Sequence, residues 1–126
     1  MAEILDYKHI GNIIHTKIIA ENVFTKEQVD AIKSKVYELV ENNKRIQFLL
    51  DLSNVQDISS PFIAFLLDIK LKIDENDGTF KLANLQHKLS EMIELTQLNK
   101  SLDIYSSSEK ALISFSHDIF NKINSD

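Results

Sequence analysis

The chain opens on two short runs of β-forming residues and then settles into an alternation of helical and strand-like apolar patterns. Ile4 to Ile10 and Ile13 to Ala20 read as two strands joined at Gly11-Asn12. Glycine between β-rich runs supplies the positive φ that a tight hairpin turn needs. Thr25 to Asn43 reads as a helix, with Thr25 and Gln28 spaced as a capping box and Phe24 with Val29 as a hydrophobic staple. Val29, Ile32, Val36, Leu39 and Val40 then fall on one helical face, and Asn42-Asn43 ends it. Ile46 to Leu52 is a near-continuous apolar run, the pattern of a strand covered on both faces.

After a loop from Ser53 to Ser59, a second helix opens at Pro61 and runs to about Glu75. Ser60 is its expected N-cap, since proline suits the first helical position. Phe62, Phe65, Leu66, Ile69 and Ile73 make one apolar face, enough to dock the helix on a sheet. Ile63, Leu67 and Leu71 make a second stripe at i, i+4, i+8, which either neighbouring helices cover or a binding partner does. Asp77-Gly78 is a turn and Thr79 to Ala83 alternates as a strand. Gln86 to Leu95 is a short helix with Leu89, Met92 and Ile93 inward, and Leu102 to Tyr105 a last short strand. Ser106-Ser107-Ser108-Glu109 caps a final helix with a stripe of Leu112, Phe115, Ile119 and Ile123. The order ββαβαβαβα predicts an α/β fold, a mixed sheet of about five strands with about four helices, parallel at least in its second half.

Composition narrows the function classes. A chain of 126 residues has the size of one domain, and residues 1–126 are read as one. There is no cysteine, which excludes disulfides, thiolate nucleophiles and cysteine-based zinc sites and fits a cytoplasmic protein. No signal-peptide pattern is visible at Met1 to Lys8, and the longest apolar run, Pro61 to Leu67, is too short to enter a bilayer as a span. The net charge of −5 is spread without a basic patch, so nucleic acid is not an expected partner.

Chemistry-bearing motifs are scarce. His9, His15, His87 and His117 are scattered, and Gly11 and Gly78 stand alone, so neither a histidine metal set nor a glycine-rich phosphate loop is formed. No cofactor is implied, and no residues support an enzyme with its own turnover. Asp51, ending the apolar strand, resembles the phosphoryl-accepting aspartate of response-regulator receiver domains. A receiver also needs an acidic pair after its first strand and a lysine after its last, where this chain has Gly11 or Ala20-Glu21 and Tyr105-Ser106-Ser107. The more specific feature is the junction Asp57-Ile58-Ser59-Ser60-Pro61-Phe62-Ile63.

Three segments together resemble the STAS domains, the family of sulphate-transporter tails and bacterial anti-sigma-factor antagonists. They are Leu50-Asp51-Leu52-Ser53-Asn54-Val55 with the two serines and helix that follow; Leu82-Ala83-Asn84-Leu85 with the short helix closing in Leu95-Thr96-Gln97-Leu98; and Ile104-Tyr105 with Ser108-Glu109-Lys110-Ala111-Leu112. The resemblance implies a stand-alone antagonist that binds an anti-sigma factor, itself a serine kinase, and is switched off by serine phosphorylation and reset by a serine phosphatase. Aligned through the second helix, the family's Asp-Ser-Ser-Gly falls on Ser59-Ser60-Pro61-Phe62. This makes Ser60 the implied acceptor, with Ser59 the alternative if the loop shifts register. Asp57, Ser59, Ser60, Pro61, Ile63 and Leu67 are then the partner-binding residues. Pro61 and Phe62 depart from the motif and keep a second reading open, a constitutive STAS adaptor or complex subunit without phosphorylation. A homodimer through the second stripe is also left open.

Overall fold

The computed structural model describes residues 5–19, 25–56 and 59–123. Ile4, Ala20, the Phe24 half of the proposed staple and Asp57 lie outside the described residues. The strands are β1 (Leu5–Ile10), β2 (Ile13–Ile18), β3 (Gln47–Asp51), β4 (Thr79–Ala83) and β5 (Asp103–Tyr105). The helices are α1 (Lys26–Glu41), α2 (Ser60–Glu75), α3 (His87–Leu95) and α4 (Ser108–Ile123), with one 3₁₀ turn at Leu98–Lys100. The expected order ββαβαβαβα holds.

β1 and β2 pair antiparallel around Gly11, whose φ of 60° is the left-handed conformation expected of the turn glycine. From β2 onward every pairing is parallel, and the sheet order is β1-β2-β3-β4-β5. Because the strands are added in sequence order and parallel crossovers are right-handed, α1, α2 and α3 all fall on one face. α4 follows the last strand and is free of that constraint, so it packs on the other face against β3, β4 and β5. β3 is therefore covered on both sides, and Phe48, Leu49 and Leu50 are fully buried.

The larger core lies under α1 to α3. It receives Ile14 and Ile18 from β2, Phe48 and Leu50 from β3, and Phe80 and Leu82 from β4. Ile32, Val36 and Val40 of α1 close it, together with Phe62, Phe65, Leu66, Ile69 and Ile73 of α2 and Leu89 and Ile93 of α3. These are the helix faces the periodicity predicts, except that Val29, Leu39 and Met92 are only half-buried. The capping box of α1 is formed, Thr25 Oγ1 accepting from Gln28 N–H and Gln28 Oε1 accepting from Thr25 N–H. At its other end the side chains of Asn42 and Asn43 donate to the Glu38 and Leu39 carbonyls, which the helix itself leaves unpaired.

The second core is small: Leu49, Ala83, Ala111 and Phe115, with Ile13, Tyr105 and Leu112 packed at its margin. Of the predicted stripe, Phe115 is buried and Leu112 half-buried beside it, with Ala111 joining them, while the side chains of Ile119 and Ile123 lie outside those described. Lys81, which strand alternation alone places on a polar face, is buried under α4 to 1% exposure. Its ammonium reaches Asp103 and Asp118 at 2.8 Å each, Ser114 at 2.9 Å and the Tyr105 hydroxyl at 3.1 Å. Burial opposes the Lys81 charge, but the hydrogen bonds it donates to Asp103, Asp118 and Tyr105 outweigh it and hold its pKa above the ordinary lysine value.

The turn before β4 divides two requirements between neighbours. Asp77, with φ of 57°, takes the left-handed position, while Gly78 lies where a Cβ would stand 2.7 Å from the Ile46 carbonyl oxygen. Gly78 is there for close approach, not for turn geometry.

Candidate functional site

The C-terminal end of the parallel strands collects the residues singled out in the sequence. At the end of β3, Asp51 is 8% exposed, and its Oδ1 accepts from Ser53 N–H at 2.8 Å. Its Oδ2 lies 3.4 Å from Ser108 Oγ at the head of α4. Ser108 Oγ also receives the Asn84 carboxamide at 3.0 Å, from a residue held at φ of 62°. Both carboxylate oxygens therefore hold loops in place, and this gives a phosphoryl-accepting role for Asp51 no support. Among the described residues, no three His, Asp or Glu side chains converge as a metal site.

His15 stands beside Asp51, its Nε2 4.0 Å from Asp51 Oδ2, because β2 and β3 run parallel in the register that pairs Lys17 with Asp51. Both ring nitrogens are buried and neither is hydrogen-bonded. Burial lowers the His15 pKa below the ordinary histidine value; Asp51 pulls the other way, and Lys8 and Lys17 add to the lowering.

From Asp51 the chain passes through a turn in which Val55 N–H bonds the Leu52 carbonyl at 3.0 Å, and Val55 is fully buried. It reaches α2 at Ser59. Here the structure corrects the sequence reading: Ser59, not Ser60, is the N-cap. Its backbone is extended at φ −68° and ψ 152°, and its hydroxyl accepts from Phe62 N–H at 3.3 Å. Helix α2 begins one residue earlier than expected, with Ser60 first and Pro61 second. The shift costs nothing at Pro61, because the first turn of a helix has no internal use for an N–H at either position.

The two serines thereby receive different environments. Ser59 is half-buried and committed to capping, whereas Ser60 is exposed on the first turn. Pro61 is exposed too. Phe62, in place of the motif's glycine, turns inward, is fully buried and packs against the Phe65 ring at 5.6 Å. Its bulk therefore does not stand over the serine. Of the second stripe, Ile63 and Leu67 are half-buried against the main core, and Leu71 is 62% exposed. The stripe is covered from beneath and open above.

The other flank of α2 is tied to α1. Lys33 reaches Asp68 at 2.8 Å and Lys72 reaches Glu41 at 3.1 Å, with the Tyr37 ring between the two lysines at 5.7 and 5.6 Å. The hydrogen bonds to Asp68 and Glu41 raise the pKa values of Lys33 and Lys72. Each such exposed pair contributes little alone. Together they tie the Asp68–Lys72 flank of α2 to α1, on the side of the helix away from Ile63 and Leu67.

The sequence profile of the STAS domain matches residues 6–111. The chain belongs to the STAS domain family. Its fold is that of solved STAS proteins. An anti-sigma-factor antagonist domain protein from Planctomyces limnophilus superposes with a TM-score of 0.79 at 20% identity, over 89% of this chain and 97% of that one. An anti-sigma factor antagonist from Mycobacterium paratuberculosis gives 0.74 at 18%, over 87% and 91%. The Bacillus cell fate determinant SpoIIAA, solved in its phosphorylated form, gives 0.67 at 11%, over 88% and 98%. No protein of curated function matches this STAS chain by sequence. Among its described residues, no helix is long and apolar enough to cross a membrane.

Sequence reasoning found the strand-end aspartate, the serine pair and the second stripe of this STAS domain. It missed His15, Asn84, Gln86 and Ser108 as their neighbours. Their signal is weak, since each is one polar residue within a strand, just after one or at the head of a helix, and only the folded pairing of strands brings them together.

Proposed function

We propose that residues 1–126 form one STAS domain acting as a protein-binding switch of the anti-sigma-factor antagonist kind. The partner, an anti-sigma factor that is also a serine kinase, docks over Ser59, Ser60, Pro61, Ile63 and Leu67, with Asp57 contributed by the loop. Ser60 is the phosphoacceptor, a serine phosphatase resets it, and the protein works in the cytoplasm without turnover of its own. One observation carries this reading. Ser60 is exposed at the head of α2, directly beside a half-open apolar flank, while the alternative acceptor Ser59 is occupied in capping.

A phosphoserine carries a charge of about −1.5 to −2. At Ser60 it would sit on the rim of the Ile63–Leu67 flank, so an apolar partner surface would meet a hydrated dianion and leave. The domain itself would tolerate the charge near the positive end of the α2 dipole. Incubation with the source organism's serine kinases and ATP, followed by mass spectrometry, tests the switch. Phosphate on Ser60 is the expected result, and phosphate on Ser59 alone, or on neither, contradicts it.

One observation favours a second reading, a constitutive adaptor. Pro61 has no N–H, and the Phe62 N–H is already taken by Ser59 Oγ. The head of α2 therefore offers a phosphoryl group fewer donors than an ordinary helix N-terminus. An unphosphorylated protein that still captures a partner through Leu67 would establish that reading instead. Sedimentation at rising concentration separates either one from a homodimer through the same flank.

A further inference from the structure

We infer that Gln86 is a positioning residue for the loop that presents Ser60; this rests on the reading of that loop as the docking and modification site. Gln86 occupies the N-cap position of α3, yet its side chain makes no hydrogen bond to its own helix. Instead its Nε2 donates to the Ser53 carbonyl at 2.8 Å, across 33 residues of chain. Ser53 is gripped at the same time from the other side, its N–H donating to Asp51 Oδ1 at 2.8 Å. Both backbone polar groups of one loop residue are thus held by side chains from two different segments, the end of β3 and the head of α3.

This arrangement is poor local design for α3. Serine, threonine, aspartate or asparagine at an N-cap satisfies the helix's free N–H groups, and a residue that reaches elsewhere does not. What the reach secures is the first turn of the β3–α2 loop, where Val55 N–H bonds the Leu52 carbonyl and Val55 enters the core. The far end of the same loop is fixed by the Ser59 cap on α2. Gln86 therefore acts on the docking surface through Ser53, without lying in it. Asn84, two residues before it, is itself anchored, its carboxamide on Ser108 and its N–H on the Tyr105 carbonyl at 3.3 Å.

The Gln86→Ser protein separates this role from a structural one, because serine caps α3 better but cannot span to Ser53. Its denaturation midpoint is expected to hold or rise. Amide exchange at Ser53 and Val55 is expected to quicken about fivefold, the effect of losing one net hydrogen bond. In the Ser60 labelling assay its kcat/KM is expected to fall about fivefold, through KM. Unchanged exchange at Ser53 and Val55 overturns the inference, as does a general rise across α3 and the sheet with a lowered midpoint. Faster exchange with labelling equal to wild type also overturns it. A wild-type protein that takes no label on Ser60 contradicts the regulatory reading of the site, while the exchange comparison still decides whether Gln86 holds the loop.

Discussion

Ser59 and Ser60 are chemically identical neighbours placed in different environments by one residue of helix register. Ser59 Oγ closes the first turn of α2, so Ser59→Ala is expected to lower stability by about 1 kcal/mol, the usual cost of a lost N-cap. Ser60 is exposed, and Ser60→Ala is expected to fall within about 0.5 kcal/mol of wild type. Paired urea denaturation curves check both values; a larger loss at Ser60 than at Ser59 would reverse the assignment of cap and acceptor. His15 gives a second test at this scale. Its folded pKa lies below the unfolded value of about 6.5. The unfolded chain therefore takes up the proton first on acidification, and this contribution to stability is complete above neutrality. It is lost as pH falls from about 6.5 towards the folded value. Denaturation midpoints measured between pH 7.5 and 5 are expected to fall less steeply for His15→Leu than for wild type.

At the scale of elements, α4 is attached differently from the other helices. α1 and α2 bury three and five apolar side chains, whereas among the described side chains α4 docks through Ala111, Phe115 and the charge centre at Lys81. Asp103 and Asp118 are each about half exposed, so without the lysine they would be largely rehydrated rather than stranded. Lys81→Met fills the same space without the cost of burying a charge, and replacements of this kind are often neutral or stabilising. Thermal denaturation is expected to place Lys81→Met within about 1 kcal/mol of wild type or above it. Lys81→Ala, which leaves a void, is expected about 2–4 kcal/mol below. If Lys81→Met falls as far as Lys81→Ala, the ammonium rather than the packing holds α4. The α1–α2 seam is the opposite case, two surface ion pairs around Tyr37 that orient a helix already docked by its apolar face.

Across the whole molecule, local periodicity made the elements legible and left their meeting points hidden. The two helical faces of α1 and α2, the doubly covered β3 and the Gly11 turn all follow from spacing of 3.6 or 2 residues and one positive φ. Register between strands has no such local signature. The β2–β3 pairing that sets His15 against Asp51, the reach of Gln86 to Ser53 and the burial of Lys81 under α4 each join residues more than thirty positions apart. The N-cap was misplaced for a physical reason as well: two serines precede Pro61, and proline fits either of the first two helical positions. The junction itself was legible in the sequence, and the placement of the N-cap within it was not.

The central claim is that the Ser60–Leu67 surface of α2 holds a protein partner and that charge at Ser60 releases it. The most direct measurement is quantitative affinity capture from the source organism's lysate on immobilised wild-type, Ser60→Asp and Leu67→Asp proteins, each shown to be folded by circular dichroism. The account predicts one partner retained by wild type and lost, at least tenfold, from both variants. Retention on Ser60→Asp equal to wild type would contradict the switch, and equal retention on Leu67→Asp would contradict the surface.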